Sequence, residues 1–242
     1  VLPGERFPLK ALTESGKAAG VTWRAKGGKL AYGERMAVWT APLEAGVYDI
    51  SGFGLVGGRM STRTLHMLVT VPNSIVKGGK LNGYPIGTYP KGYGPKPTLV
   101  ANRGSREDAY AVPAGFIELT SANLDLAISR HYKLRDFAGK DSAVGGRKYL
   151  FLETKLVEKL ERLIATLNGA GYPCTKLEVM SAYRSPQLNA AIGNETKLSR
   201  HTYGDAADMV AQDFNRDKKV DVVDAQILMA AVTKLDKDTE LT

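Results

Sequence analysis

From Gly78 to Pro97 the chain reads GGKLNGYPIGTYPKGYGPKP. Proline removes a backbone donor and glycine loses the most freedom on ordering, so this density of both forbids a regular helix and leaves short extended pieces. The composition holds from Asn73 to about Pro113 and divides the 242 residues into two parts of different periodicity. Residues 73–112 are therefore expected to form a linker or a packed irregular arm. Its tyrosines Tyr84, Tyr89 and Tyr93 have two readings: they line a groove by stacking on sugar or peptide, or they pin the arm to its neighbour.

Residues 1–72 carry short apolar or alternating runs at Val21–Ala25, Met36–Thr40, Gly46–Ile50 and Thr64–Val71, separated by Gly27-Gly28, Pro42 and Gly57-Gly58. Such spacing predicts a small all-β sandwich with Trp39 and Tyr48 as core aromatics. The segment WTAPLEAGVYDI resembles the late strands of an immunoglobulin-like bacterial module. Modules of that kind bind, space or anchor, and fold alone does not choose among these.

After the arm, Phe116–Thr120 reads as a short strand and Ser121 as the start of a turn. Leu152, Leu156, Leu160, Leu163, Ile164 and Leu167 recur at three- and four-residue steps among charged residues, which predicts an amphipathic helix stopped by Asn168-Gly169. Leu177–Met180 follows as a β-run, so residues 113–242 read as an α+β domain. His131, beside Arg130, and His66, in the expected last strand of the sandwich, are read as surface or packing residues.

Several function classes are excluded or disfavoured by composition. Apolar residues make up 43% of the chain, but none of the runs approaches the ~20 that a membrane span needs. Cys174 is the only cysteine, which rules out an internal disulfide and a cysteine-based zinc cluster; it reads as a small core residue. The net charge of +8 is scattered over Lys26, Lys29, Lys77, Lys80, Lys91 and Lys96 without a nucleic-acid motif. No nucleic-acid partner is expected; an anionic polymer such as a bacterial wall, or a merely solvated surface, fits the charge. The start VLPGERFPLK has no initiator Met, as expected if a leader has been removed and the protein is secreted or periplasmic.

The chemistry concentrates in SAYRS, at Ser181–Ser185, and SRHTYGDAAD, at Ser199–Asp208. A neutral imidazole and a carboxylate, His201 and Asp208, are suitable zinc ligands, and Gly204 between them lets the chain fold back so that both face one ion. The two motifs together resemble the zinc D-alanyl-D-alanine carboxypeptidase family, whose relatives cut peptidoglycan peptides and share a fold with lysostaphin-type and hedgehog domains. That resemblance covers roughly residues 113–242 and implies Zn²⁺ held by His201 and Asp208. It also implies that Arg184 polarises the scissile carbonyl or clamps a peptide carboxylate, with Ser181, Tyr183 and Ser199 holding the turn and loop against the substrate. One departure stands out. The family's third ligand is a histidine in a C-terminal strand, preceded by an acidic general base, and no histidine follows His201 here. The ending KLDKDTELT supplies no closing strand, so the chain is expected to be cut short before that ligand.

A second metal pattern lies in DFNRDKKVDVVD. Asp213, Asn215, Asp217, Asp221 and Asp224 occupy loop positions 1, 3, 5, 9 and 12, with the Lys219 carbonyl at 7, which is the spacing by which a tight loop wraps Ca²⁺. It resembles the calcium loops of dockerin-type repeats. Lys218 stands where glycine is usual, and the other reading is a plain acidic turn capping the helix that begins near Val222. Taken together, the sequence predicts a secreted bacterial zinc metallopeptidase acting on peptidoglycan peptides. The alternative is a non-catalytic wall-binding protein that retains the peptidase scaffold.

Overall fold

The structure is a computed structural model that describes residues 1–13, 16, 20–33, 36–90, 110–139, 148–194, 196 and 198–240. Tyr93, Lys91 and Lys96 lie outside them. The described chain is mixed α/β, with several small sheets and three helices, and it divides into two compact units.

The first unit, Val1–Val76 with Ala114–Glu118, contains strands and no α-helix among its described residues. In one antiparallel sheet β4 (Ala37–Thr40) is flanked by β1 (Arg6–Leu9) and β3 (Lys29–Tyr32). In another, β5 (Gly46–Val56) is flanked by β2 (Thr22–Ala25) and β6 (Arg59–Val69). Gly57 and Gly58 join β5 to β6 with φ of 57° and 77°; two positive values in a two-residue loop match the right-handed strand twist, which is why glycines stand there. Leu9, Ala37 and Trp39 from the first sheet share one core with Ile50 and Val69 from the second. Trp39 is fully buried and gives its indole N–H to the Gly27 carbonyl at 3.0 Å, so its one polar group is satisfied. Tyr48, at 6.4 Å between ring centroids, is half-buried beside it. After β6, β7 (Val71–Pro72) pairs with the start of a later strand, Gly115–Leu119 (β10 in chain order), through Phe116 and Val71. The cross-strand bond of His66 Nδ1 to Asp49 Oδ1, 2.7 Å, agrees with the packing role read for that histidine.

The second unit comprises the described residues of Lys77–Pro113 and Leu119–Thr242. Its longest apolar stripe is on α1 (Thr154–Gly169), which buries Leu156, Val157, Leu160, Leu163, Ile164 and Leu167. The helix ends at Gly169, where the Asn168-Gly169 stop was expected. Beyond it Gly171, with φ of 86°, donates its N–H to the Asn168 carbonyl while Tyr172 N–H reaches Leu167. The Asn168 side chain then binds both the N–H and the C=O of buried Cys174, at 2.9 and 2.8 Å. Helix α3 (Val222–Glu240) packs on α1 through buried Leu228, Ala231 and Leu235, with Lys159 Nζ 2.7 Å from Asp236. His131 is tied to Glu161 on α1 at 2.6 Å, again a packing contact.

The described residues of the irregular arm are held by their contacts. Its hairpin of β8 (Lys80–Leu81) and β9 (Tyr84–Pro85) sets Tyr84 edge-on to Tyr149 of β11 (Lys148–Leu150). Ile86 is fully buried, and its carbonyl accepts the N–H of Gln187, at the start of α2 (Pro186–Ala191). A side chain on Gly87 would lie 2.6 Å from that same nitrogen, so only glycine allows the approach. Tyr89 is buried against Tyr203. Of the two readings for these tyrosines, pinning the arm describes Tyr84 and Tyr89.

Candidate metal centre

The site forms where two turns meet beside a short sheet. The β-run expected at Leu177–Met180 is β12 (Val179–Ser181), and it pairs antiparallel with β13 (Asp208–Met209), so that Ser181 stands opposite Asp208. Beyond β12 the chain turns through Ala182–Arg184 into α2, whose first turn is capped by the Ser185 hydroxyl accepting Leu188 N–H at 3.2 Å. The other turn, Arg200–Tyr203, ends at Gly204 with φ of 67°. A Cβ there would lie 2.7 Å from the Phe151 ring and 2.8 Å from the Phe151 carbonyl oxygen. Both backbone conformation and space therefore require this glycine, and it directs the chain back toward β13.

Two hydrogen bonds join the turns. Arg184 N–H donates to the His201 carbonyl at 3.2 Å, and the Ala182 carbonyl lies 2.6 Å from His201 Nδ1. A carbonyl can only accept, so Nδ1 carries a proton and the neutral ring presents its lone pair at Nε2. Nε2 lies 3.3 Å from Asp208 Oδ1. A lone pair facing a carboxylate oxygen lacks a partner unless a cation stands between them or the ring is protonated. For tetrahedral bonds of about 2.0–2.1 Å, two ligand atoms are about 3.3–3.4 Å apart. The pair thus has the separation of two corners of a zinc site, with a backbone carbonyl orienting the imidazole from behind.

Arg184 completes the group. Its Nη2 is 2.5 Å from Asp208 Oδ2, and its Nε donates to Ser181 Oγ at 2.9 Å. One carboxylate oxygen is thereby held by arginine and the other is left toward His201. Tyr183 turns its phenol inward, 3.0 Å from the Tyr89 hydroxyl, which in turn donates to the Thr202 carbonyl at 3.1 Å. Burial pushes both phenols above their ordinary range, Tyr183 strongly, so each remains a neutral donor. Ser199 is buried, and its carbonyl accepts from both the N–H and the hydroxyl of Thr202. Ser181, Tyr183 and Ser199 are thus brought to the same two turns as His201 and Asp208.

The aspartate-rich loop of Asp213, Asn215, Asp217, Lys219, Asp221 and Asp224 lends the calcium reading no support, since among the described residues no three His, Cys, Asp or Glu side chains are placed to hold a metal ion. Instead the loop's own N–H groups take up its carboxylates. Asp213 accepts from Asp217 and Lys218, Asn215 from Asp217, and Asp217 from Lys219. Asp221 accepts from Val223, while Asp224 accepts from Phe214, Asn215 and Asp221. Asp221 and Asp224 form a reciprocal cap on α3, the acidic-turn reading. Asp224 is fully buried. Burial raises its carboxyl, but the backbone N–H donors of Asp221, Phe214 and Asn215 outweigh this and hold it below the usual carboxylate range. Lys218 does occupy the left-handed region, with φ of 69°, at the position where glycine is usual.

A cleft of about 470 Å³ opens beside the SAYRS turn, and Ser181, Ala182, Tyr183 and Arg184 form one side of it. Arg184 therefore both borders the cleft and holds Asp208. Sequence reasoning had no signal for the Ala182 carbonyl that orients His201 or for Lys148, which also lines the cleft. It did contain a readable signal for α2, since Ser185-Pro186 is a cap followed by a first-turn proline.

These features define a class: a histidine and a carboxylate at metal-ligand separation, beside an arginine and an apolar cleft. Residues 136–231 match the family model described as Peptidase M15, so the C-terminal part is similar to zinc D-Ala-D-Ala carboxypeptidase-like peptidases. No curated protein matches the chain, and neither does any solved structure.

Proposed function

We propose that the C-terminal unit is a zinc metallopeptidase hydrolysing peptide bonds of peptidoglycan, with His201 and Asp208 as two of its zinc ligands. The observation that carries this is the 3.3 Å separation of His201 Nε2 and Asp208 Oδ1, with Nδ1 anchored on a backbone carbonyl. A zinc ion there supplies Lewis acidity toward a substrate carbonyl. The Ala182 carbonyl fixes the tautomer, and Arg184 fixes the carboxylate while presenting a permanent positive charge to the cleft. In this reading the protein acts in the bacterial cell envelope, secreted or periplasmic. The strand-built first unit, with its immunoglobulin-like segment from Trp39 to Ile50, serves to bind or anchor there.

The test is zinc content together with product release from peptidoglycan peptides. Zinc near one per chain that disappears in His201→Ala, with amino-acid release that disappears in parallel, supports the peptidase; zinc content unaltered by that substitution overturns the ligand assignment. A second reading, a wall-binding protein that keeps the scaffold without catalysis, is favoured by one observation. Among the described residues His201 and Asp208 meet without a third metal-binding side chain. Peptidoglycan binding without release of product selects it.

A further inference from the structure

Tyr89 stands on the arm, ahead of the matched residues 136–231, yet its hydroxyl reaches both turns of the metal centre. The Thr202 carbonyl can only accept, so the single proton of Tyr89 goes there, at 3.1 Å. Tyr183 is then the donor in the 3.0 Å contact between the two phenols. Tyr183 directly follows Ala182, and Thr202 directly follows His201. The bridge through Tyr89 therefore spans the same two turns as the 2.6 Å bond from His201 Nδ1 to the Ala182 carbonyl, one residue further along each.

The place of that hydroxyl is set from outside the centre. Ile86 accepts the N–H of Gln187 at 3.0 Å, and a Cβ on Gly87 would lie 2.6 Å from the same nitrogen. Gln187 belongs to the first turn of α2, so the arm is registered on the scaffold just before Tyr89. The Tyr89 ring is buried and sits edge-on to Tyr203, with centroids 5.7 Å apart. At the far end of the bridge, Thr202 is held by its N–H and hydroxyl on the Ser199 carbonyl, at 3.0 and 2.7 Å. We propose that Tyr89 is a positioning residue for His201, its hydroxyl fixing the separation of the two turns and thereby the bond that aims the imidazole. A side chain locked by its own packing can hold a neighbouring group to the tolerance a metal site needs. The inference rests on the peptidase reading only for what His201 Nε2 binds; the aim of the ring follows from the bridge.

The test is nuclear magnetic resonance of the imidazole N–H groups in the whole protein, first with chelator present. The chain has three histidines, and the His201 Nδ1–H signal is the one that His201→Ala removes. Its bond to Ala182 is expected to shift this proton downfield and slow its exchange with water. Tyr89→Phe deletes only the bridging oxygen and is expected to make that exchange about tenfold faster. The Nδ1–H signals of His66 and His131, which face Asp49 and Glu161, stay where they were. Tyr132→Phe is the control for general loosening, because it also removes a buried phenol bond to a backbone carbonyl, that of Leu177, away from both turns. It is expected to leave the His201 signal unchanged. Tyr183→Phe, which keeps the bond from Tyr89 to Thr202, is expected to give a smaller acceleration, and it decides the matter should Tyr89→Phe fail to fold. Unchanged exchange in Tyr89→Phe, or in Tyr183→Phe where that variant decides, overturns the proposal, as does an equal acceleration in Tyr132→Phe. With zinc in competition against a chromogenic chelator, Tyr89→Phe is expected to lower affinity about tenfold. A protein that binds no zinc yet shows the exchange response loses the peptidase reading and keeps Tyr89 as the residue that aims His201.

Discussion

Two neighbouring loops, 199–209 and 213–224, are both supplied with carboxylates and use them in opposite ways. In the first, Asp208 offers its oxygens to side chains, one to Arg184 and one toward the Nε2 of His201. In the second, Asp213, Asp217, Asp221 and Asp224 are taken up by backbone N–H groups of the same loop. A carboxylate satisfied by its own backbone shapes the chain. One that faces an imidazole lone pair leaves an interaction for something else to complete. Residue type and spacing suggested metal at both places, and the direction of the donors separates them.

The largest expected break in that contrast is His201→Ala. Removing one of two convergent ligands is expected to lower zinc affinity by at least about 100-fold, read by competition with a chromogenic chelator. Asn215→Ala, in the second loop, is expected to leave it unchanged; an equal loss in both variants would erase the distinction. Next comes Gly204→Ala, which forces a Cβ into the Phe151 ring and carbonyl at a left-handed φ. A destabilisation of about 2–4 kcal/mol in urea unfolding is expected, with zinc affinity falling as the His201 turn moves.

Asp224→Ala removes the buried half of the α3 cap. It is expected to lower Tm by about 5 °C with zinc affinity retained. The pH dependence has a definite sign. The folded carboxyl of Asp224 lies below its unfolded value, so the stabilisation is complete above that unfolded value, near about 3.9, and is lost as pH falls through the folded value. Acid unfolding of Asp224→Ala should be correspondingly less steep below about pH 4. The smallest effect expected is that of calcium. Millimolar Ca²⁺ should move Tm by less than about 1 °C, since the loop's carboxylates already have donors; a rise of several degrees would restore the cation reading.

Much of this was legible because the signals were local. The stripe from Leu156 to Leu167 determined α1, and Gly57-Gly58 marked a hairpin turn whose geometry only such residues adopt readily. His201, Gly204 and Asp208 carried the centre because their spacing, together with one left-handed residue, brings them together in space. What could not be read is set by tertiary contact. The Ala182 carbonyl has no side chain to advertise that it orients His201. Lys148 is one lysine among many until β11 places it on the cleft. The calcium expectation finds no support for a related reason: spacing fixes which oxygens are near one another, and not whether backbone donors reach them first.

The binding of Asn168 to Cys174 gives the molecule a built-in chemical clock. Asn168 is followed by Gly169, and an asparagine before glycine deamidates when the glycine nitrogen attacks the side-chain carbon to close a succinimide ring. Here the backbone is helical, and the side-chain amide is held by the Ile164 carbonyl and by both backbone groups of Cys174. Ring closure must wait until that end of α1 opens. Slow accumulation of the one-dalton-heavier product at Asn168 during storage therefore counts openings of the helix terminus beneath the α1–α3 pair, a record of local unfolding kept in covalent form.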